Sequence, residues 1–275
     1  MAANVRLETE SVAPRPARHD GHALLLDARN LRVAYGSLVA LDNANFVVRA
    51  GQILGVIGPN GAGKSTTYAA LTNRVSRSGT VSYDGASIDT LKPHQFATVG
   101  IKRTFQQNSF FSEITVLENM ICAIQDSATS NLWTSFTRPW VEMRNRAVAE
   151  ARARALLQDF NLPDDFLDRF PHEIPYGTQR ILSIAMAYGN GARILMLDEP
   201  AAGIGGNDMQ ALIAILAQLK ARGVGMIVIE HHMDLIMQLA DEIVVLDRGR
   251  QIAMGTPLEI QANPAVREAY LGKEQ

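Results

Sequence analysis

With 275 residues, the chain is long enough for one large α/β domain with an appended helical part, or for two small domains. An apolar share of 47%, a charged share of 20% and a net charge of -2 suit an ordinary soluble chain and leave no global positive field that would collect nucleic acid. The longest apolar runs, Leu212–Leu216 and Met226–Ile229, fall far short of a bilayer span, and a single Cys122 rules out an intramolecular disulfide, in keeping with a reducing compartment.

Residues 1–22 carry Glu8, Glu10, Pro14 and Pro16 and lack the basic-then-apolar order of a signal peptide, so a disordered tail is expected ahead of a folded region spanning 23–272. Short β-type segments follow at Leu24–Leu26, Leu31–Val33 and Asn45–Val48. An apolar run, Ile53–Ile57, comes next, and Thr80–Tyr83 ends in the turn signal Asp84-Gly85. Together they predict an antiparallel layer beside a buried strand. Helical spacing through Val116, Leu117, Met120, Ile121 and Ile124, then an Ala/Arg/Glu stretch from Glu142 to Leu157, predicts a helical insert over about 110–185. Farther on, the runs Ile194–Leu197 and Met226–Ile229 flank a helix around Met209–Ala221, the pattern of βαβ units in a parallel sheet. A hairpin from Ile243–Leu246 through Asp247-Arg248-Gly249 to Gln251–Met254 completes the reading.

Chemistry concentrates first in Gly58-Pro59-Asn60-Gly61-Ala62-Gly63-Lys64-Ser65-Thr66, placed directly behind the run Ile53–Ile57 and ahead of a predicted helix. Glycines at 58, 61 and 63 let the backbone wrap phosphates with inward N–H groups, and the helix starting near Lys64 points its positive end at the same anion. Lys64 is expected on the β/γ-phosphates and Ser65 on Mg²⁺. A second constellation is Asp198-Glu199-Pro200 at the end of a buried strand. Two adjacent acids there are costly unless they handle a cation or a proton. Asp198 suits a Mg²⁺ partner, and Glu199 suits the base that polarises an attacking water.

From Leu24 to Gly272 the chain resembles the nucleotide-binding subunits of ABC transporters, because several short motifs occur in the family's order. The resemblance implies a P-loop α/β fold with a mainly parallel core sheet, an antiparallel β subdomain and a helical insert, binding ATP with Mg²⁺. It implies that Tyr35, in Val33-Ala34-Tyr35-Gly36, stacks on adenine. Gln106, in Arg103-Thr104-Phe105-Gln106, would contact Mg²⁺ and the attacking water, and His231 would touch the γ-phosphate. Catalysis would then rest on Glu199, His231, Gln106 and Lys64, metal ligation on Ser65, Gln106 and Asp198, and nucleotide contact on Tyr35, the 58–66 loop and Gly177.

Where the family carries its LSGGQ signature, which closes on the ATP of a partner subunit, this chain has Ile174-Pro175-Tyr176-Gly177-Thr178-Gln179. Pro175 offers neither a hydroxyl nor an N–H to a phosphate, and Tyr176 restricts backbone approach. Gly205 stands where the family pattern has Asp. These departures predict an unequal pair of cassettes, with a homologous but non-identical partner. The alternative is that the loop tolerates these residues and both sites turn over alike, as a Tyr-Gly variant is familiar in one subfamily. A closer resemblance, to the Liv-type importers of branched-chain and other hydrophobic amino acids, a group that also handles urea and small amides, is carried by Gly100–Gln106, Phe111, Thr115–Asn119, Tyr176-Gly177, Asp198–Gly203, Glu230–Met233 and Asn263–Gly272. It implies transmembrane permease partners, an extracytoplasmic solute-binding protein acting indirectly, and attachment through the permease to the cytoplasmic face of the inner membrane. The ATPase of a lipid or polysaccharide exporter, or a soluble ABC ATPase acting on nucleic acid or ribosomes, are the alternatives. Trp133, Phe136 and Trp140 either fill a small core in the insert or wall a groove for the permease. Arg144, Arg146, Arg152 and Arg154, interleaved with Glu142 and Glu150, read as a solvated helix face.

Overall fold

The structure is a computed structural model that describes residues 23–104, 110–124 and 139–271. The expected tail, Gln106, Trp133 and Phe136 lie outside them. Two long strands, β1 (Leu24–Tyr35) and β2 (Leu38–Arg49), pair antiparallel, and β4 (Ser78–Tyr83) and β5 (Ala86–Ser87) extend that layer. The sequence breaks these strands into shorter pieces for a physical reason. Asn30 and Asn43 each adopt φ 52°, the register shifts around them, and the inside-outside alternation is interrupted at those points.

Five strands form the parallel core: β3 (Ile53–Ile57), β6 (Ile101–Arg103), β7 (Ile194–Asp198), β8 (Gly225–Ile229) and β9 (Glu242–Asp247). A hairpin strand, β10 (Arg250–Gly255), runs antiparallel to β9 and touches β2 at Arg250 and Asp42, which joins both layers in one ten-stranded sheet of order β5-β4-β1-β2-β10-β9-β3-β8-β7-β6. All residues of β3, β7 and β8 are buried, because both faces of this part of the sheet are covered. On one face Ile53, Ile57, Leu195, Leu197, Met226 and Val228 meet helices. On the other, Leu54, Val56, Ile194, Met196, Ile227 and Ile229 meet α1 (Lys64–Leu71) and the β1/β2 layer.

The helical part contains α2 (Val116–Ile124), α3 (Pro139–Asp159) and α4 (Tyr176–Gly189). It joins the first core through Met120, Leu157, Phe160 and Leu182. The helical spacing predicted from Val116 to Ile124 coincides with α2, and the Glu142–Leu157 stretch falls inside α3. A ladder of α5 (Gly206–Ala221), α6 (Met233–Leu239), α7 (Pro257–Ala262) and α8 (Pro264–Leu271) completes the chain. No helix among the described residues is long and apolar enough to cross a membrane.

Candidate functional site

A cleft of about 480 Å³ opens over the C-terminal end of β3, walled by Leu38–Ala40 of β2, residues 60–66, Glu199, Arg248 and Gly249. This is where ligands sit in open parallel sheets. Gly58 turns the chain out of β3 with φ 154°, and any Cβ there would collide with the carbonyl oxygen of Leu246. Gly63, at φ 101°, precedes α1, and a Cβ on it would stand 2.6 Å from the carbonyl oxygen of Ala40. Both positions therefore exclude a side chain on steric and conformational grounds. α1 starts at Lys64 with no side-chain cap, and its first-turn residues Lys64, Ser65 and Thr66 face the cleft. Lys64 is buried, and its Nζ donates to the carbonyl oxygens of Gly58 at 2.6 Å and Pro59 at 3.0 Å, so the cation is held against the loop.

The acids come from the end of β7. Asp198 is buried, and its Oδ2 accepts from Arg103 Nη2 at 2.7 Å. Arg103 lies in turn 5.1 Å over the ring of Tyr68, a fully buried residue of α1. The Tyr68 hydroxyl stands 2.6 Å from Leu197 O and 2.7 Å from Ile227 O, and it accepts from Ile229 N at 3.3 Å, so α1 is pegged into the ends of β7 and β8. Burial, reinforced by the Asp198 charge, pushes the Tyr68 phenol well above its ordinary range and keeps it a neutral donor.

Glu199 lines the cleft in the left-handed region, φ 46°, a conformation a non-glycine residue holds only when its surroundings enforce it. Its N–H donates to Ile229 O at 2.9 Å, and its carbonyl accepts from Ala202 N at 3.1 Å. His231 follows β8, half exposed, with Nδ1 3.9 Å from Glu199 Oε1. Glu199 lines the cleft, and His231 stands beside it at 3.9 Å.

Two expected contributors stand apart from this group. Tyr35 is exposed at the end of β1, paired with Leu38, which lines the cleft. Gly177 lies in the first turn of α4, where a Cβ would collide with the Asp208 carboxylate. Its lack of a side chain therefore serves the packing of α4 on α5 as well as any approach from outside. Pro175 is the residue before α4, which has no side-chain cap, and Tyr176 stays exposed against Gly203 with Arg180 over its ring at 5.3 Å.

Sequence reasoning missed several neighbours. Arg248 and Gly249 were visible only as a hairpin turn, yet Gly249 N donates to Ala62 O at 3.0 Å and the pair walls the cleft. Arg103 and Glu230 sat inside recognised motifs without a role of their own. Tyr270 of α8 reaches back to a hydrogen bond with the Gly58 backbone. Burial pushes its phenol up to about 12 although that bond pulls the other way. Each of these depends on a contact between segments far apart in sequence, which local pattern does not report.

A glycine-wrapped loop opening a helix, a Lys held against it and two acids at the end of a neighbouring strand define a P-loop nucleoside-triphosphate cassette. The ABC transporter family profile matches residues 41–202, and a profile described as branched-chain amino acid ATP-binding cassette transporter matches residues 250–275. The chain is 37% identical to the high-affinity branched-chain amino acid transport ATP-binding protein BraF of Pseudomonas aeruginosa, over 90% of this chain and 98% of that protein. It is 35% identical to LivG of Escherichia coli over the same shares. Its fold is similar to the ADP conformation of MJ1267, an ATP-binding cassette of an ABC transporter, at a TM-score of 0.77 and 28% identity over 91% of this chain and 99% of that one. The chain belongs to the ABC transporter family, as an ATP-binding, ATP-hydrolysing cassette.

Proposed function

We propose that this cassette powers an importer of branched-chain or other hydrophobic amino acids. Residues 23–272 would act as one nucleotide-binding domain with a helical subdomain over about 110–185. The placement of Glu199 in the phosphate-loop cleft, with His231 Nδ1 3.9 Å from its carboxylate, carries the hydrolytic part of this reading. The profile match over residues 250–275 and the BraF and LivG relatives support the cargo.

In this reading the 58–66 loop and the N-terminus of α1 hold the phosphates, and Lys64 turns from the loop carbonyls to the β/γ-oxygens. Adenine lies at the outer end of the cleft, toward Leu38 and Tyr35, where the exposed phenol ring gives it a stacking face. Ser65, Gln106 and Asp198 offer the oxygen donors that a hard cation takes, and bound Mg²⁺ supplies charge neutralisation at the transferred phosphate. Arg103 fixes the orientation of Asp198 through Oδ2. Glu199 orients the attacking water and takes its proton, while His231 contacts the γ-phosphate.

A site open on one side needs a second cassette to close it. Pro175, Tyr176 and Gly205 weaken what this chain offers in return, which favours a homologous, non-identical partner. Attachment through permease subunits, at the cytoplasmic face in this reading, draws support for the partner contact from the apolar groove of Phe110, Phe111, Ile114 and Cys122 beside α2, in which Phe111 is 64% exposed. The test is reconstitution with permease, partner cassette and solute-binding protein in proteoliposomes. Leucine uptake driven by MgATP, abolished by Glu199→Gln in this chain, is the expected result. ATP turnover indifferent to every hydrophobic amino acid supplied with its binding protein would overturn the cargo assignment.

A further inference from the structure

Glu230 directly follows β8 with no exposed surface, and among the described residues no Lys or Arg pairs with it. A bare carboxylate cannot be buried this way without donors to hold its charge. Three main-chain N–H groups do so. Ala201 N donates to Oε1 at 2.7 Å, and His231 N and His232 N donate to Oε2 at 2.9 and 3.2 Å. Ala201 belongs to the turn that follows Glu199, whereas His231 and His232 belong to the turn that leads into α6. One carboxylate therefore ties two loops together, and charge-assisted bonds of this kind are the stronger and more directional ones.

The tie lies directly behind Glu199 and His231. Glu199 is held in its left-handed conformation by Ile229 O on one side and Ala202 N on the other, and Glu230 fixes the residue between Pro200 and Ala202. On the opposite loop the same carboxylate fixes the backbone of His231. Glu230, His231 and His232 also bring one ligand atom each within 4.8 Å of one another, a spacing that suits a metal ion. The buried oxygens, however, already face three N–H groups whose positive ends would repel a cation. The arrangement is that of a brace.

We infer that Glu230 is a positioning residue for hydrolysis, setting Glu199 and His231 as one unit. The inference rests on the roles proposed above for those two side chains. Glu230→Gln keeps the shape but can accept on one side only, since its NH₂ group must face backbone donors on the other. Glu230→Asp keeps the charge but is one methylene shorter, so it can serve the adjacent His231 and His232 N–H groups while releasing Ala201.

The measurement is kcat of the assembled transporter, set beside MANT-ATP affinity and the melting temperature of the chain. Displacements of about 1 Å in a reacting group cost up to roughly a hundredfold in rate. The expected result for Glu230→Gln is a ten- to hundredfold fall in kcat with MANT-ATP affinity within twofold of wild type, and for Glu230→Asp a smaller fall of the same kind. If the Gln variant does not fold, the Asp variant decides. Wild-type kcat in the variants that fold would overturn the inference, as would a loss of kcat matched by equal losses of affinity and melting temperature. Glu199→Gln is run in parallel. Normal turnover there would overturn the reading of Glu199 as the base, whatever the Glu230 variants do.

Discussion

Two helix N-termini in this chain are built in opposite ways. α1 opens behind Gly63, with no side chain capping its first-turn amides, and that turn lines the cleft. α4 opens behind Pro175, with an exposed Tyr176 on its first turn and the Asp208 carboxylate packed against Gly177. Both ends carry the same positive partial charge from their unpaired amides. What differs is the doorstep: glycine stands before the amides of α1, whereas α4 has a proline before its first turn, an exposed ring on it and a carboxylate packed against it. A helix dipole by itself therefore does not define a phosphate site; the residues beside its first turn also shape what can approach it.

The comparison breaks most visibly at its strong end. Lys64→Ala should lower ATP turnover by about a hundredfold or more, because the cation aimed at the developing phosphate charge is lost, and steady-state phosphate release from the assembled transporter measures it. Gly58→Ala should destabilise the fold by about 2–3 kcal/mol, since its Cβ meets the Leu246 carbonyl, and denaturant melts measure that. Unchanged stability would mean that β3 and β9 can part at low cost.

The weak end responds with a gain. Pro175→Ser together with Tyr176→Gly should raise turnover at the partner's site by about three- to tenfold, as a hydroxyl cap and an open backbone are restored, for roughly 1 kcal/mol of added contact. It is read in complexes whose own site is silenced by Glu199→Gln. No gain would show that the α4 surface already closes on nucleotide as it stands, and the contrast between the two helix ends would lose its functional meaning. The smallest effect lies away from both. Burial raises the Glu242 carboxyl, with Glu259 adding to the rise and Arg49 opposing it. A raised folded value means that ionisation costs stability at neutral pH and stops doing so below the unfolded value near about 4. Glu242→Gln should therefore raise the melting temperature by a degree or two near neutrality, and the gain should vanish in acid.

Much of this was legible beforehand because it is local. A glycine spacing, an apolar pentapeptide before it and an acid pair after another strand each announce themselves within ten residues. The βαβ pattern was legible in the apolar runs Ile194–Leu197 and Met226–Ile229, because β7 and β8 are buried on both faces. The two long outer strands were legible only in fragments, because Asn30 and Asn43 break the alternation while the hydrogen-bonded ladder continues past them. Less was legible of what stabilises the site from behind. Tyr68 looks like an ordinary helix residue, yet its hydroxyl reaches carbonyls 129 and 159 positions away. Tyr35 is named by motif alone, and its exposed ring stands at the end of β1 beside Leu38, which lines the cleft.

The left-handed backbone at Glu199 also bears on how this protein would respond to selection. Glycine and asparagine tolerate that conformation more readily than glutamate, so a library sorted only for resistance to heat should enrich them at this position. The survivors would be sturdier proteins with the acid gone. Residue 199 is thus a point where selection for durability and selection for work pull against each other, and a screen that ignores activity should find it early.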